Sequence, residues 1–225
     1  SAIFTLWPGI DMWFSARFFD PHAAHWLGRG PGFEALRETI RVAALTVPVL
    51  ALGAVLVAIV RPCPLGLPAR VWGFVLTLYL IGPGLLVNAG LKAHWGRSRP
   101  ADVTAFGGTA RFTPPLVPTD QCARNCSFSS GEAAGATAFA LSLLLLAACL
   151  PEGSVRLRRV LLGLALSFVL LGPALRVMAG RHFVSDTLFS ILFTVATAQI
   201  IWPLFRPLPA RDAVRAAPRG AVDTP

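Results

Sequence analysis

Arg176-Val177-Met178-Ala179-Gly180-Arg181-His182-Phe183-Val184-Ser185-Asp186 joins two strongly apolar runs, Val160–Ala174 and Thr187–Leu204. A charged cluster between membrane-like segments is costly unless it faces water, a partner or a ligand. Two arginines, a histidine and an aspartate in this short stretch are hard to explain as packing. His182 and Asp186 are four residues apart, so on a helix they share a face. Asp186 is then placed to hold one imidazole nitrogen and leave the other for a substrate. Such a pair suits a nucleophilic or acid–base histidine. The arginines offer forked donors suited to phosphate.

The chain around this stretch is that of a membrane protein. Its 225 residues are 55% hydrophobic and 14% charged, with a mean hydropathy of +0.64. Soluble domains carry about 25% charged residues. Five runs approach the ~20 residues that cross a bilayer: 42–60, 71–91, 133–150, 160–176 and 183–205. Ser1–Phe19 is apolar and aromatic but broken by Pro8, Asp11 and Arg17, and reads as an incomplete further span or an interfacial segment. The expected fold is therefore an all-α polytopic transmembrane bundle of about six spans, in one domain over residues 1–206. Residues 207–225 mix Pro, Ala and Arg and read as a disordered cytoplasmic tail.

The formal charge is +9, and Lys92 is the only lysine. In a membrane protein such a balance concerns topology and anionic lipid before nucleic acid, and no basic–aromatic stretch of the nucleic-acid-binding kind is present. Arg61, Arg70, Arg156, Arg158, Arg159, Arg206, Arg211, Arg215 and Arg219 fall on one side if the spans alternate. That side is read as cytoplasmic. The long loop from Lys92 to Gly131 and the Arg176–Asp186 cluster then share the opposite side. Cys122 and Cys126 lie in this loop, where a disulfide and two free thiols are both open readings; a disulfide implies an oxidising, extracytoplasmic side.

Two more stretches carry chemistry. Lys92-Ala93-His94-Trp95-Gly96-Arg97-Ser98-Arg99-Pro100 concentrates cations that repel one another without an anion. Phosphate or pyrophosphate fits it, and so does a patch for lipid headgroups. Cys126-Ser127-Phe128-Ser129-Ser130-Gly131-Glu132 precedes the third span. It is a helix-start signal, and free N–H groups at a helix start bind anions. Glu132 reads either as a cap at the positive helix end or as a buried carboxyl able to protonate a leaving group.

These three stretches together resemble the type 2 phosphatidic acid phosphatase superfamily of membrane lipid phosphatases. Lys92, Arg99 and Pro100 fit its first pattern. Ser130-Gly131 retains part of the second. Arg176, His182 and Asp186 fit the third at the right spacing. Ser129 stands where the family has proline, Leu175 where it has serine, and Glu132 where it has the histidine that protonates the leaving group.

The resemblance implies a two-step displacement. His182 attacks phosphorus, Asp186 orients it, and Lys92, Arg99, Arg176, Ser130 and Gly131 hold the phosphoryl oxygens. Water then hydrolyses the phosphohistidine. Glu132 is the expected proton donor, with His94 as the alternative. Arg97 and Arg181 are expected as accessory cations, for a second phosphate or for anionic lipid. The resemblance calls for no metal and no cofactor. It implies a bacterial inner-membrane enzyme acting from the periplasmic face on a phosphorylated lipid, with lipid A favoured. Undecaprenyl pyrophosphate, phosphatidylglycerol phosphate, phosphotransfer between lipids, and a non-catalytic lipid-binding or transport protein are the alternatives.

Overall fold

The computed structural model describes residues 2–61 and 63–207. Two short helices, α1 (Ala2–Leu6) and α2 (Gly9–Ala16), lead into a minimal hairpin of β1 (Phe19–Asp20) and β2 (His25–Trp26). Five long apolar helices follow: α3 (Pro31–Val57), α4 (Ala69–His94), α5 (Gly131–Cys149), α6 (Val155–Met178) and α7 (Val184–Phe205). Each is long and apolar enough to cross a membrane. The incomplete sixth span expected from the first residues corresponds to α1 and α2. Pro8 separates them, and neither has the length to cross.

The helix ends follow local sequence. Pro31 opens α3, where a missing N–H costs nothing. That start lies well before residue 42, because the amphipathic stretch Glu34–Arg41 continues into the span without a break. The second half of α4, Leu80–Leu91, is π-helical around Gly82-Pro83-Gly84. Pro83 cannot donate to the ladder, and a wider turn accommodates its ring. The Asn88 amide donates back to the Pro83 carbonyl at 2.6 Å. Ser130 caps α5, its Oγ accepting from Ala133 N at 3.3 Å. α6 gives way to a tight turn at Gly180, whose φ of +66° is left-handed. There the Trp26 ring lies where a Cβ would project.

α5 is the central helix and packs against α3, α4, α6 and α7. Its small residues, among them Ala133, Ala134, Ala136 and Ala138, are buried and let neighbouring backbones approach. One apolar cluster lies toward the far end of the bundle, around Ala51, Trp72, Phe74, Leu78, Leu145 and Ile201. Large side chains such as Val49, Leu56, Leu170, Ile200 and Leu204 point outward, as a lipid-facing surface requires. A second cluster of Trp26, Val103, Phe106 and Phe183 caps the opposite end, where the hairpin and the long loop meet α7.

The chain alternates through the bundle. The α3 start, the α4 end, the α5 start, the α6 end and the α7 start share one end. Arg61, Arg70, Arg156, Arg158, Arg159 and Arg206 lie at the other. The tail expected to be disordered lies outside the described residues from residue 208 onward.

Candidate active site

The three sequence stretches meet at the capped end of the bundle. His182 sits in the α6–α7 turn, 1% exposed. Its Nδ1 is 2.7 Å from the carbonyl oxygen of Ser127, in the second stretch. A carbonyl only accepts, so Nδ1 carries the proton and Nε2 keeps its lone pair. Burial holds the imidazole well below its ordinary pKa, and the positive charges of Lys92, Arg176 and Arg99 push it further the same way; the Ser127 carbonyl opposes them. The ring is therefore neutral at pH 7 and available as a nucleophile.

Asp186 is four residues on, but its Oδ2 lies 3.9 Å from His182 Nδ1, beyond hydrogen-bond reach. The direct contact expected from the i, i+4 spacing is taken by the Ser127 carbonyl. Asp186 instead fixes what surrounds the histidine. Its Oδ2 accepts from Ser127 Oγ at 2.5 Å and from Phe183 N at 2.8 Å. Its Oδ1 is ion-paired with Arg97. Asp186 thus acts on His182 through the residue whose carbonyl meets the ring.

Arg97 departs from its expected role as an accessory cation. It is fully buried and cannot reach a second phosphate. Its guanidinium bridges two carboxylates: one NH2 group meets Asp186 and Ser185 Oγ, the other meets Asp11 of α2 at 2.8 Å. Its Nε donates to Thr113 O at 2.8 Å. Asp11, also fully buried, accepts from Ser185 N at 2.9 Å and Ser185 Oγ at 2.5 Å. The first helices are thereby latched to the start of α7 by charge. Asp11 interrupts an apolar run in the sequence, and that was the one available signal for this latch.

The expected phosphate ligands surround His182. Lys92 ends α4 and lines, with Asn88, Gly131 and Glu132, a cavity of about 260 Å³ that runs down between α3, α5 and α6 past Ile40, Ala44 and Leu175. Arg176 is buried, and among the described residues its Nε has no hydrogen-bond acceptor. Ser130 and Gly131 are at the α5 start, where Ser130 N donates to Asp186 O at 3.4 Å and the Gly131 N–H has no intrahelical acceptor. Arg99 donates to Asn125 O at 2.6 Å, and burial, then Arg181, lower its pKa. His94 is exposed, on the wall of an adjoining cavity shared with Lys92 and Asn88. Arg181 is exposed beside His182.

Glu132 belongs to the site, but in an ion-pair cluster. Arg37 Nε lies 3.2 Å from both its oxygens, and Arg176 Nε lies 3.5 Å from Oε2. Arg37 also meets Glu34 at 2.9 Å. In this arrangement the carboxyl is an acceptor on both oxygens, and the donor role expected from its position requires the Arg37 contact to be given up. Sequence reasoning missed Arg37 because its partner lies 95 positions away.

Cys122 and Cys126 are joined as a disulfide, which closes the turn just before Ser127. Among the described residues no group of three or more His, Cys, Asp or Glu is placed to hold a metal ion.

Comparison with known proteins agrees with this arrangement. The chain is 30% identical over 211 residues to the lipid A 4'-phosphatase of Francisella tularensis subsp. novicida (strain U112), covering 89% of this chain and 88% of that one. It is 36% identical over 200 residues to the lipid A 4'-phosphatase of Rhizobium etli, covering 82% and 75%. It is 34% identical over 206 residues to that of Rhizobium leguminosarum, covering 85% of each. No solved structure gave a significant match. The model of the PAP2 superfamily matches residues 71–209, which span α4 to α7 and hold every phosphate ligand expected above. The chain belongs to the PAP2 superfamily and is a multi-pass membrane phosphatase of the phosphoester-hydrolase class.

Proposed function

We propose that this protein removes a phosphate from the sugar backbone of lipid A, working from the periplasmic face of a bacterial inner membrane. The observation that carries the reading is the convergence of Lys92, Arg99 and Arg176 on one buried, neutral histidine. Relatives named for lipid A support the substrate. The Cys122–Cys126 disulfide and the arginines at the far end support the orientation.

His182 Nε2 attacks phosphorus, and the bond to the sugar oxygen breaks. Lys92, Arg99, Arg176, the Ser130 hydroxyl and the Gly131 N–H hold the oxygens of the transferring group, whose charge the cations offset without reorganising. The leaving oxygen takes a proton from His94 across the adjoining cavity or from water. Glu132 is assigned to holding Arg176 and Arg37 at the phosphate. Water then attacks the phosphohistidine and frees inorganic phosphate. The apolar wall at Ile40, Ala44 and Leu175 gives an acyl chain a path from the bilayer.

The test is phosphate release by the purified protein from lipid A, undecaprenyl pyrophosphate, phosphatidylglycerol phosphate and phosphatidic acid, with and without chelator. Turnover of lipid A that persists in chelator and is lost in His182→Ala is expected. Preference for another of these lipids would overturn the substrate.

A further inference from the structure

Three arginines beside the catalytic centre form no close ion pair with a carboxylate among the described residues. Arg37, Arg41, Arg97 and Arg176 each lie within ion-pair distance of an acid. Arg29, Arg99 and Arg181 have no such partner among the described residues. They come from three separate parts of the chain and are gathered at one turn.

Backbone geometry builds this gathering. The turn is Ala179-Gly180-Arg181, seated on Trp26. Gly28 N donates to Met178 O at 3.0 Å, which brings the segment after β2 alongside. Arg29 Nε donates to Ala179 O at 3.1 Å and is half-buried there. On the other side, Ala101 N donates to Gly180 O at 3.0 Å, which fixes the Arg99-Pro100-Ala101 segment. Arg181 N donates to Arg176 O at 3.0 Å, and its side chain stands in solvent. Burial and repulsion by Arg181 lower the pKa of both Arg29 and Arg99; the carboxylate of Asp102 opposes the shift in each, with Glu34 for Arg29 and Glu132 for Arg99. Backbone hydrogen bonds bring the three segments together against the repulsion of their guanidiniums, which the charge of Asp102 offsets only in part.

We propose that Arg29 and Arg181, with Arg99 shared between the two sites, form a second anion subsite that binds a phosphate of the same substrate molecule other than the one being removed. The inference rests on the proposed phosphatase reading. A planar guanidinium pair matches a phosphate, and a cationic ledge fixed next to Arg176 discriminates between a lipid with two phosphates and one with a single phosphate. Arg29 and Arg181 touch no reacting atom and set which lipid is held.

The experiment compares lipid A carrying two phosphates with the form carrying only the scissile one, in mixed micelles. Wild type, Arg29→Gln, Arg181→Gln and the double variant are measured, each with neutral detergent and with added phosphatidylglycerol. Each single variant is expected to raise KM for the two-phosphate lipid about tenfold, the loss of roughly one charge-assisted contact, and the double variant more than either. Its kcat, and its KM for the one-phosphate lipid, stay near wild type. An equal rise for both lipids, or a rise seen only with phosphatidylglycerol present, assigns the arginines to the membrane surface and overturns the subsite. No change in either KM also overturns it. Absence of turnover in wild type would sink the phosphatase reading. In that event, equilibrium binding of the two lipids to the wild-type protein in neutral nanodiscs decides the subsite: tighter binding of the two-phosphate form that the double variant loses supports it, and equal binding overturns it.

Discussion

Asp11→Ala should damage this protein far from its membrane core. Asp11 is fully buried and serves three donors: Ser185 N, Ser185 Oγ and the Arg97 guanidinium at 2.8 Å. Alanine leaves Arg97 buried with Asp186 as its only carboxylate and strands an N–H group at each of Arg97 and Ser185. Removing one partner of a buried ion pair costs about 3–5 kcal/mol. In a domain of this size 1 kcal/mol moves the thermal midpoint by roughly 2–4 °C, so the midpoint in detergent should fall by roughly 6–20 °C. Asp11→Asn keeps an acceptor for Ser185 and should lose less. Activity should fall too, assayed below the new midpoint, since Arg97 also holds Asp186 and Asp186 holds Ser127. A midpoint within about 2 °C of wild type, with full phosphate release, would refute the latch.

Three other outcomes follow from the same geometry. His182 titrates below about 6.5 in the folded state, so the acid limb of kcat/KM should lie below that pH. The sign for stability is the reverse of a gain: the unfolded chain takes up the proton first, so stability falls as pH drops through about 6.5 and levels off below the folded pKa. His182→Ala should remove that decline, read by thermal midpoints across pH. Glu132→Gln should weaken turnover of lipid and of an activated aryl phosphate by similar factors; a loss confined to the poor leaving group would restore the proton-donor role. Ser127→Ala deletes the 2.5 Å hydrogen bond to Asp186 and should cost roughly 1.5–3 kcal/mol of stability, while the backbone contact to His182 persists; an unchanged midpoint would count against Asp186 as the hub.

Much of this architecture was legible in the sequence because bilayer length and motif spacing are local properties. The five long apolar helices and the shared end of Lys92, Ser130, Arg176 and His182 follow from alternation alone. The contacts that set the chemistry were not local. Asp186 and His182 have the spacing for a direct pair, yet the α7 start turns Asp186 toward Phe183 N and Arg97, and a carbonyl 55 positions away takes the imidazole. Arg97 reads as one more cation in a basic stretch. Only the fold sets it between Asp11 and Asp186. Glu132 kept its place, but Arg37 was invisible as its partner, because a charge near the start of α3 has no local sign of what it will meet.

The central claim is that His182 carries the phosphate between the two steps. The most direct measurement is rapid quench of the protein with lipid A radiolabelled at the phosphate, followed by assay of protein-bound label in alkali and in acid. The account predicts label that survives alkali, is released by acid, and is absent from His182→Ala. Phosphate release at full rate by His182→Ala, or turnover with no protein-bound label on a time scale shorter than one cycle, would contradict it.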